Sequence, residues 1–187
     1  HVKKNREKKH IFLIGFMGVG KSTIAKTLHE MTQRTVIEMD SRIEMEEGRT
    51  IADIFAQSGE EYFRNIETDL LYTILGEPAA VVSCGGGVPV REENRKWMRQ
   101  GGYTILLTAE PETIFERVRY SKERPILNQN MSVEFIRELM ERRRALYEDA
   151  ADLVIWTDGK DSETIAKEIL ERICIIEETT EREETEI

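Results

Sequence analysis

The chain is expected to fold as an α/β protein, with a parallel sheet covered by helices on both faces. Three observations predict this. Short apolar runs alternate with helical patterns from one end to the other. The runs are apolar throughout rather than at every second residue, as strands buried on both faces are. The first run also ends in a glycine-rich loop that leads straight into a helical pattern. At 187 residues the chain has about the length of one domain.

Each element follows from its residues. HIFLIG (10–15) reads as a buried strand ending on glycine, and residues 21–32 read as a helix. TVIEMD (35–40) is a second strand. A polar helical stretch follows, and Phe63, Ile66, Leu70, Leu71 and Ile74 then mark one face of a helix. AAVVSC (79–84) is a third strand, 92–100 a short helix, and YTILLTA (103–109) a fourth strand. Pro111 suits the first turn of the next helix, because its missing N–H would have no partner there. Phe135, Ile136, Leu139, Met140 and Leu146 stripe another helix. DLVIWT (152–157) is a fifth strand, and Ile165, Ile169, Leu170 and Ile173 face a closing helix. No repeat and no Gly/Pro/Ser-rich linker divides the chain.

Composition excludes several classes. Apolar residues make up 40% and charged residues 34%, a charged but globular balance. The longest uncharged run, 78–90, has 13 residues, and a membrane-crossing helix needs about 20. The first nine residues are basic, and the apolar run that follows turns straight into the glycine loop, so no secretory signal is expected. Two cysteines and three histidines make neither a disulfide framework nor a zinc site. A reducing, cytoplasmic setting is expected. The net charge is −9. Residues 1–9 form a basic arm of net +4, and residues 174–187 an acidic tail of net −5, a frayed helix extension or a disordered segment. The domain between them, 10–173, carries −8. Such a surface repels nucleic acid, but a local cluster of arginines can still bind a small anion.

Residues 15–22, GFMGVGKS, match G-x-x-x-x-G-K-[ST] in the strand–loop–helix context that the motif requires. The glycines let backbone N–H groups turn inward around a phosphate, and the helix N-terminus adds a positive dipole end. Gly18, Val19, Gly20, Lys21, Ser22 and Thr23 are therefore candidates to hold ATP. Lys21 would reach the β- and γ-phosphates, and the Ser22 hydroxyl would ligate Mg²⁺. GTPases, motor ATPases and small-molecule kinases share this loop, so the acceptor must be read elsewhere.

Three features are candidates for the acceptor side. The second strand ends in Glu38-Met39-Asp40, where alternation would put both carboxylates on one side of the crevice. Ser83-Cys84-Gly85-Gly86-Gly87 follows the third strand, and three glycines in a row imply close approach to something. Arg64, Arg124 in the polar stretch 120–130, and Arg142 to Arg144 offer guanidinium forks suited to carboxylate or phosphate. Cys84 reads as a small buried residue rather than a nucleophile.

Together these pieces resemble shikimate kinase. The GFMGVGKST loop, the acidic pair, IADIFAQSGEEYFRNIE (51–67), the CGGG turn, the RPIL segment (124–127) and RRALY (143–147) occur in that family's order, over about residues 10–173. The resemblance implies a P-loop, nucleoside-monophosphate-kinase-like fold: a three-layer α/β/α sandwich with a five-stranded parallel sheet. It divides the domain into a core, a shikimate-binding segment (41–68) and a lid (119–131). It implies transfer of the ATP γ-phosphoryl group to the 3-hydroxyl of shikimate with Mg²⁺, by a cytoplasmic monomer with no nucleic-acid or membrane partner. Asp40 matches the aspartate at the reacting hydroxyl. Arg64 and Arg143 match the clamp on the shikimate carboxylate. Gly85, Gly86 and Gly87 match the glycines beside substrate and γ-phosphate. Arg124 matches the lid arginine that closes on the phosphates, and Phe55 and Phe63 match apolar pocket walls. Glu38 stands where the family usually has aspartate, which moves a water-mediated Mg²⁺ contact out by one methylene.

Overall fold

A computed structural model describes residues 9–119 and 132–186. Five strands, β1 (His10–Ile14), β2 (Thr35–Glu38), β3 (Ala80–Ser83), β4 (Gly102–Thr108) and β5 (Leu153–Trp156), form one sheet in the order β2-β3-β1-β4-β5. Every pairing is parallel. The helices are α1 (Lys21–Thr32), α2 (Met39–Glu47), α3 (Ile51–Ser58), α4 (Glu60–Leu75), α5 (Glu92–Gly101), α6 (Pro111–Val118), α7 (Val133–Ala150) and α8 (Ser162–Thr185). The chain leaves β1 toward β2 on one side and leaves β3 toward β4 on the other. Ligands of open α/β sheets bind at such a reversal, outside the carboxyl ends of the strands.

Strand alternation sorts the core into two layers. Ile11 and Leu13 of β1 pack with α1, α6 and α8 through Leu28, Ile114, Ile165 and Ile169. Phe12 and Ile14 pack on the opposite face with α2, α4 and α5 through Ile43, Leu71, Ile74 and Met98. Local chemistry starts the helices. The Thr50 hydroxyl accepts from Asp53 N–H at 3.1 Å, Ser132 from Phe135 N–H at 3.1 Å, and Asp161 from Thr164 N–H at 2.8 Å. Each cap fills one of the orphan donors of a first turn. At the far edge His10 Nδ1 accepts from Ala80 N–H at 3.1 Å and helps bring β1 and β3 into register.

One boundary differs from expectation, and at the C-terminal end the structure decides between two alternatives. The second strand stops at Glu38, and Met39–Glu47 is helical, so Asp40 sits in the first turn of α2 rather than on a strand. Strand alternation therefore does not place Glu38 and Asp40 together. Fully buried Met39 anchors the turn between them, and a carboxylate in a first turn suits the helix dipole. The acidic C-terminal stretch continues α8 without a break to Thr185. Ile176 still packs against the core, and Tyr103 Oη donates to Glu177 Oε1 at 3.0 Å. Of the basic arm, only Lys9 lies within the described residues; its ammonium stands 5.5 Å from the centre of the Tyr103 ring.

Candidate active site

The glycine loop joins β1 to α1 at the carboxyl edge of the sheet. Gly20 caps α1 with φ 96, a left-handed conformation that glycine adopts without strain, and no side chain caps the helix. No acidic residue occupies the first turn of α1, so its positive end is open to an anion. Lys21 Nζ donates back to Gly15 O at 2.6 Å and Phe16 O at 3.3 Å. Val19 is buried, so only its backbone can serve a nucleotide, while Ser22 and Thr23 are exposed. Arg117 of α6 donates to Gly18 O at 3.1 Å and Thr157 Oγ1 at 3.3 Å, and ties the loop to the end of β5.

A cavity of about 340 Å³ opens beside the loop, lined by Lys21, Ser22, Glu38, Asp40, Ser41 and Ser83 to Gly86. Glu38 and Asp40 thus face one space despite the helical turn between them. The donors are hydroxyl and carboxylate oxygens, the hard set that suits Mg²⁺. No group of three or more His, Cys, Asp or Glu among the described residues could hold a metal by itself. Mg²⁺ fits that arrangement, because it keeps waters and shares phosphate oxygens. Burial pushes the Cys84 thiol well above its usual range, against any nucleophilic role.

The triple-glycine turn is where the acceptor residues meet. The point at which a Cβ would stand on Gly85 is 2.8 Å from Asp40 Oδ1 and 3.0 Å from Glu67 Oε2. On Gly86 it is 3.1 Å from Arg143 Nη1. On Gly87 a methyl would overlap the Arg64 guanidinium. Glycine is needed here to leave room for two carboxylates and two guanidinium groups. Arg64 Nη1 is 2.6 Å from Glu67 Oε1, and Nη2 is 3.5 Å from Glu60 Oε1. Glu67 is 1% exposed. Burial, helped by nearby Asp40 and opposed by Arg64 and Arg91, pushes its carboxyl up to about 7. Phe55 and Phe63 form an apolar pair with centroids 4.9 Å apart, and Arg64 stands 5.4 Å from the Phe63 ring centre.

The structure thus brings together Lys21, Ser22, Glu38, Asp40, Arg64, Arg143 and the three glycines, with Phe55 and Phe63 alongside. Arg124, and all of the expected lid except Arg119, lie outside the described residues. Two residues escaped assignment from sequence. Glu67 belongs to the GE-x-x-FR-x-x-E stretch, and its i+3 spacing from Arg64 was the available signal. Tyr147, the last residue of RRALY, donates to Gly86 O at 2.5 Å and accepts from Arg143 Nη1 at 3.4 Å. Spacing places it near Arg143, but nothing local points it at Gly86.

A phosphate loop at the reversal of a parallel sheet, beside a glycine turn crowded by two carboxylates and two guanidinium groups, has the parts of a P-loop kinase for a small anionic molecule. The comparisons with known proteins name it more narrowly. The family model described as "Shikimate kinase" matches residues 17–174. A shikimate kinase of Persephonella marina is 43% identical over 88% of this chain and 99% of its own. A solved shikimate kinase of Acinetobacter baumannii in complex with shikimate superposes with a TM-score of 0.83 at 32% identity, over 89% of this chain and 93% of the other. One from Aquifex aeolicus gives 0.74 at 35% identity, over 86% and 94%. The chain belongs to the shikimate kinase family and is an ATP-dependent phosphotransferase.

Proposed function

We propose that this chain transfers the γ-phosphoryl group of ATP to the 3-hydroxyl of shikimate, giving shikimate 3-phosphate and ADP, a step of aromatic amino-acid biosynthesis. The observation that carries the residue assignment is the convergence of Asp40, Arg64 and Arg143 on Gly85 to Gly87 beside the phosphate loop. Arg64 and Arg143 take the carboxylate of shikimate through guanidinium forks. Phe55 and Phe63 wall its ring. Asp40 orients the 3-hydroxyl and accepts its proton as the oxygen attacks phosphorus and ADP departs. The N–H groups of Gly18 to Thr23 hold the polyphosphate, and Lys21 spreads the charge of the transferring group. Arg124 is assigned to the phosphates by the sequence resemblance.

Ser22 would hold Mg²⁺ directly and Glu38 through water. When bound, the ion neutralises phosphate charge. The domain works as a monomer in the cytoplasm, without nucleic-acid or membrane partners. Among the described residues no helix is long and apolar enough to cross a membrane.

The test mixes the protein, ATP and Mg²⁺ with a panel of hydroxy acids, shikimate and gluconate among them. Shikimate-dependent ADP release is expected. Preference for another acid, or no release with shikimate, overturns the assignment. Binding of both ligands without turnover would instead mark a catalytically silent binding module.

A further inference from the structure

We propose that Tyr147 is a positioning residue for the acceptor site: its hydroxyl joins the Arg143 guanidinium to the backbone of the triple-glycine turn. This rests on the reading of Arg143 as a carboxylate clamp. The geometry has three parts. First, Arg143 and Tyr147 stand one helical turn apart on α7, on the same face. The Tyr147 ring is buried in the layer that holds Ile14, Leu106, Val88 and Ala150, so its hydroxyl is a fixed post.

Second, that hydroxyl uses both of its hydrogen-bonding functions. It donates to Gly86 O at 2.5 Å and accepts from Arg143 Nη1 at 3.4 Å. The other two carbonyls of the turn are held by backbone: Gly85 O accepts from Val88 N–H and Gly87 O from Val90 N–H, both at 3.1 Å. Tyr147 supplies the third restraint, which makes every peptide of the turn fixed.

Third, the two clamp arginines are held by unlike partners. Arg64 is paired with the carboxylates of Glu67 and Glu60. Arg143, among the described residues, makes no ion pair; its side-chain partner is the neutral phenol. Its neighbour Arg144 takes Glu141 and Glu148 instead. A neutral holder orients a guanidinium without cancelling its charge, so Arg143 presents a full positive charge to a carboxylate. Burial keeps the phenol protonated, which preserves that neutrality.

Tyr147→Phe keeps the buried ring and deletes only the hydroxyl, and the experiment is a kinetic cycle with Arg143→Ala. Loss of one such hydrogen bond is expected to raise the KM for shikimate about tenfold, and the KM for ATP by less than about twofold. In the Arg143→Ala background the same change should add less than about twofold, because the partner through which it acts is gone. Shikimate KM unmoved by Tyr147→Phe, both KM values rising together with a fall in Tm, or a full multiplicative effect in the double variant each overturn the proposal. If Arg143→Ala itself leaves shikimate KM unchanged, the clamp reading fails and the proposal falls with it. If only Tyr147→Phe is silent, the clamp stands and the proposal alone fails.

Discussion

The phosphate loop and the triple-glycine turn line one cavity, yet they are held in place by different means. The loop is held mainly by neighbours close in sequence, with Arg117 of α6 adding one distant bond to Gly18 O: Lys21 returns to Gly15 O and Phe16 O, and Val19 N–H donates to Phe16 O at 3.3 Å. The turn has its outer carbonyls held by local backbone, but its middle carbonyl is held by Tyr147 of α7, and the side chains packed against it come from distant segments: Asp40 from α2, Arg64 and Glu67 from α4, Arg143 from α7. A polyphosphate presents one repeated oxygen chemistry, and a run of N–H groups can bind it. A small acid with several hydroxyls presents different groups in fixed directions, and only rigid side chains from several elements can meet them all. The difference teaches that the nucleotide half is mostly a local device, while the acceptor half draws its side chains from across the fold.

Substitutions on the acceptor side test this contrast. The largest effect is expected for Asp40→Asn, which keeps the shape of the side chain and removes the proton acceptor. Turnover should fall about a thousandfold with little change in shikimate affinity. Steady-state kinetics decide it, and a large rise in KM with kcat preserved would make Asp40 a binding group only.

Glu67 comes next, through stability. Its carboxyl is pushed up to about 7 in the folded protein. The folded state therefore keeps a proton that the unfolded chain gives up at lower pH. Stability from this group is present at low pH and lost as pH rises toward and past 7. Raising the pH from about 5 to about 8 should cost the native protein up to about 3 kcal/mol from this source, and Glu67→Gln should remove that slope. Urea midpoints of both proteins across that range are the check, and parallel slopes would reject the assignment.

Gly87→Ala is expected to be milder and selective. A methyl group there overlaps the Arg64 guanidinium, while the backbone at φ −92 tolerates alanine. Shikimate KM should rise about tenfold as Arg64 is displaced, with ATP KM nearly constant. Equal rises in both would mean that the turn serves the nucleotide as much as the acceptor. The smallest effect is expected at the far end of α8. Removing residues 174–187 deletes the packing of Ile176 and the Tyr103–Glu177 hydrogen bond. Tm should drop by about 2–4 °C per kcal/mol lost, with turnover intact. A large loss of turnover would give the tail a role in the site.

Much of this was legible in the sequence. The five strands and the helices between them follow from the period of apolar residues, because burial on one or two faces writes itself into neighbouring positions. The phosphate loop was legible for the same reason: its parts are contiguous. The end of β2 was misread because TVIEMD continues as apolar–polar alternation, while Met39 is in fact pulled into the core at the start of a helix.

By itself, then, the sequence determined the layered α/β architecture, the loop and, through resemblance, the family, and it named the residues that the proposed site is built from. Tertiary structure decided which of the neighbours at helical spacing hold those residues, and what holds them in turn. Arg64 is held by Glu67, and Arg143 by the hydroxyl of Tyr147, whose proton goes to Gly86, 61 residues away in sequence. The physical reason is that hydrogen bonds and ion pairs act over about 3 Å in space: helical spacing can suggest the Arg64–Glu67 and Arg143–Tyr147 pairs, but a contact across 61 residues leaves no periodic trace.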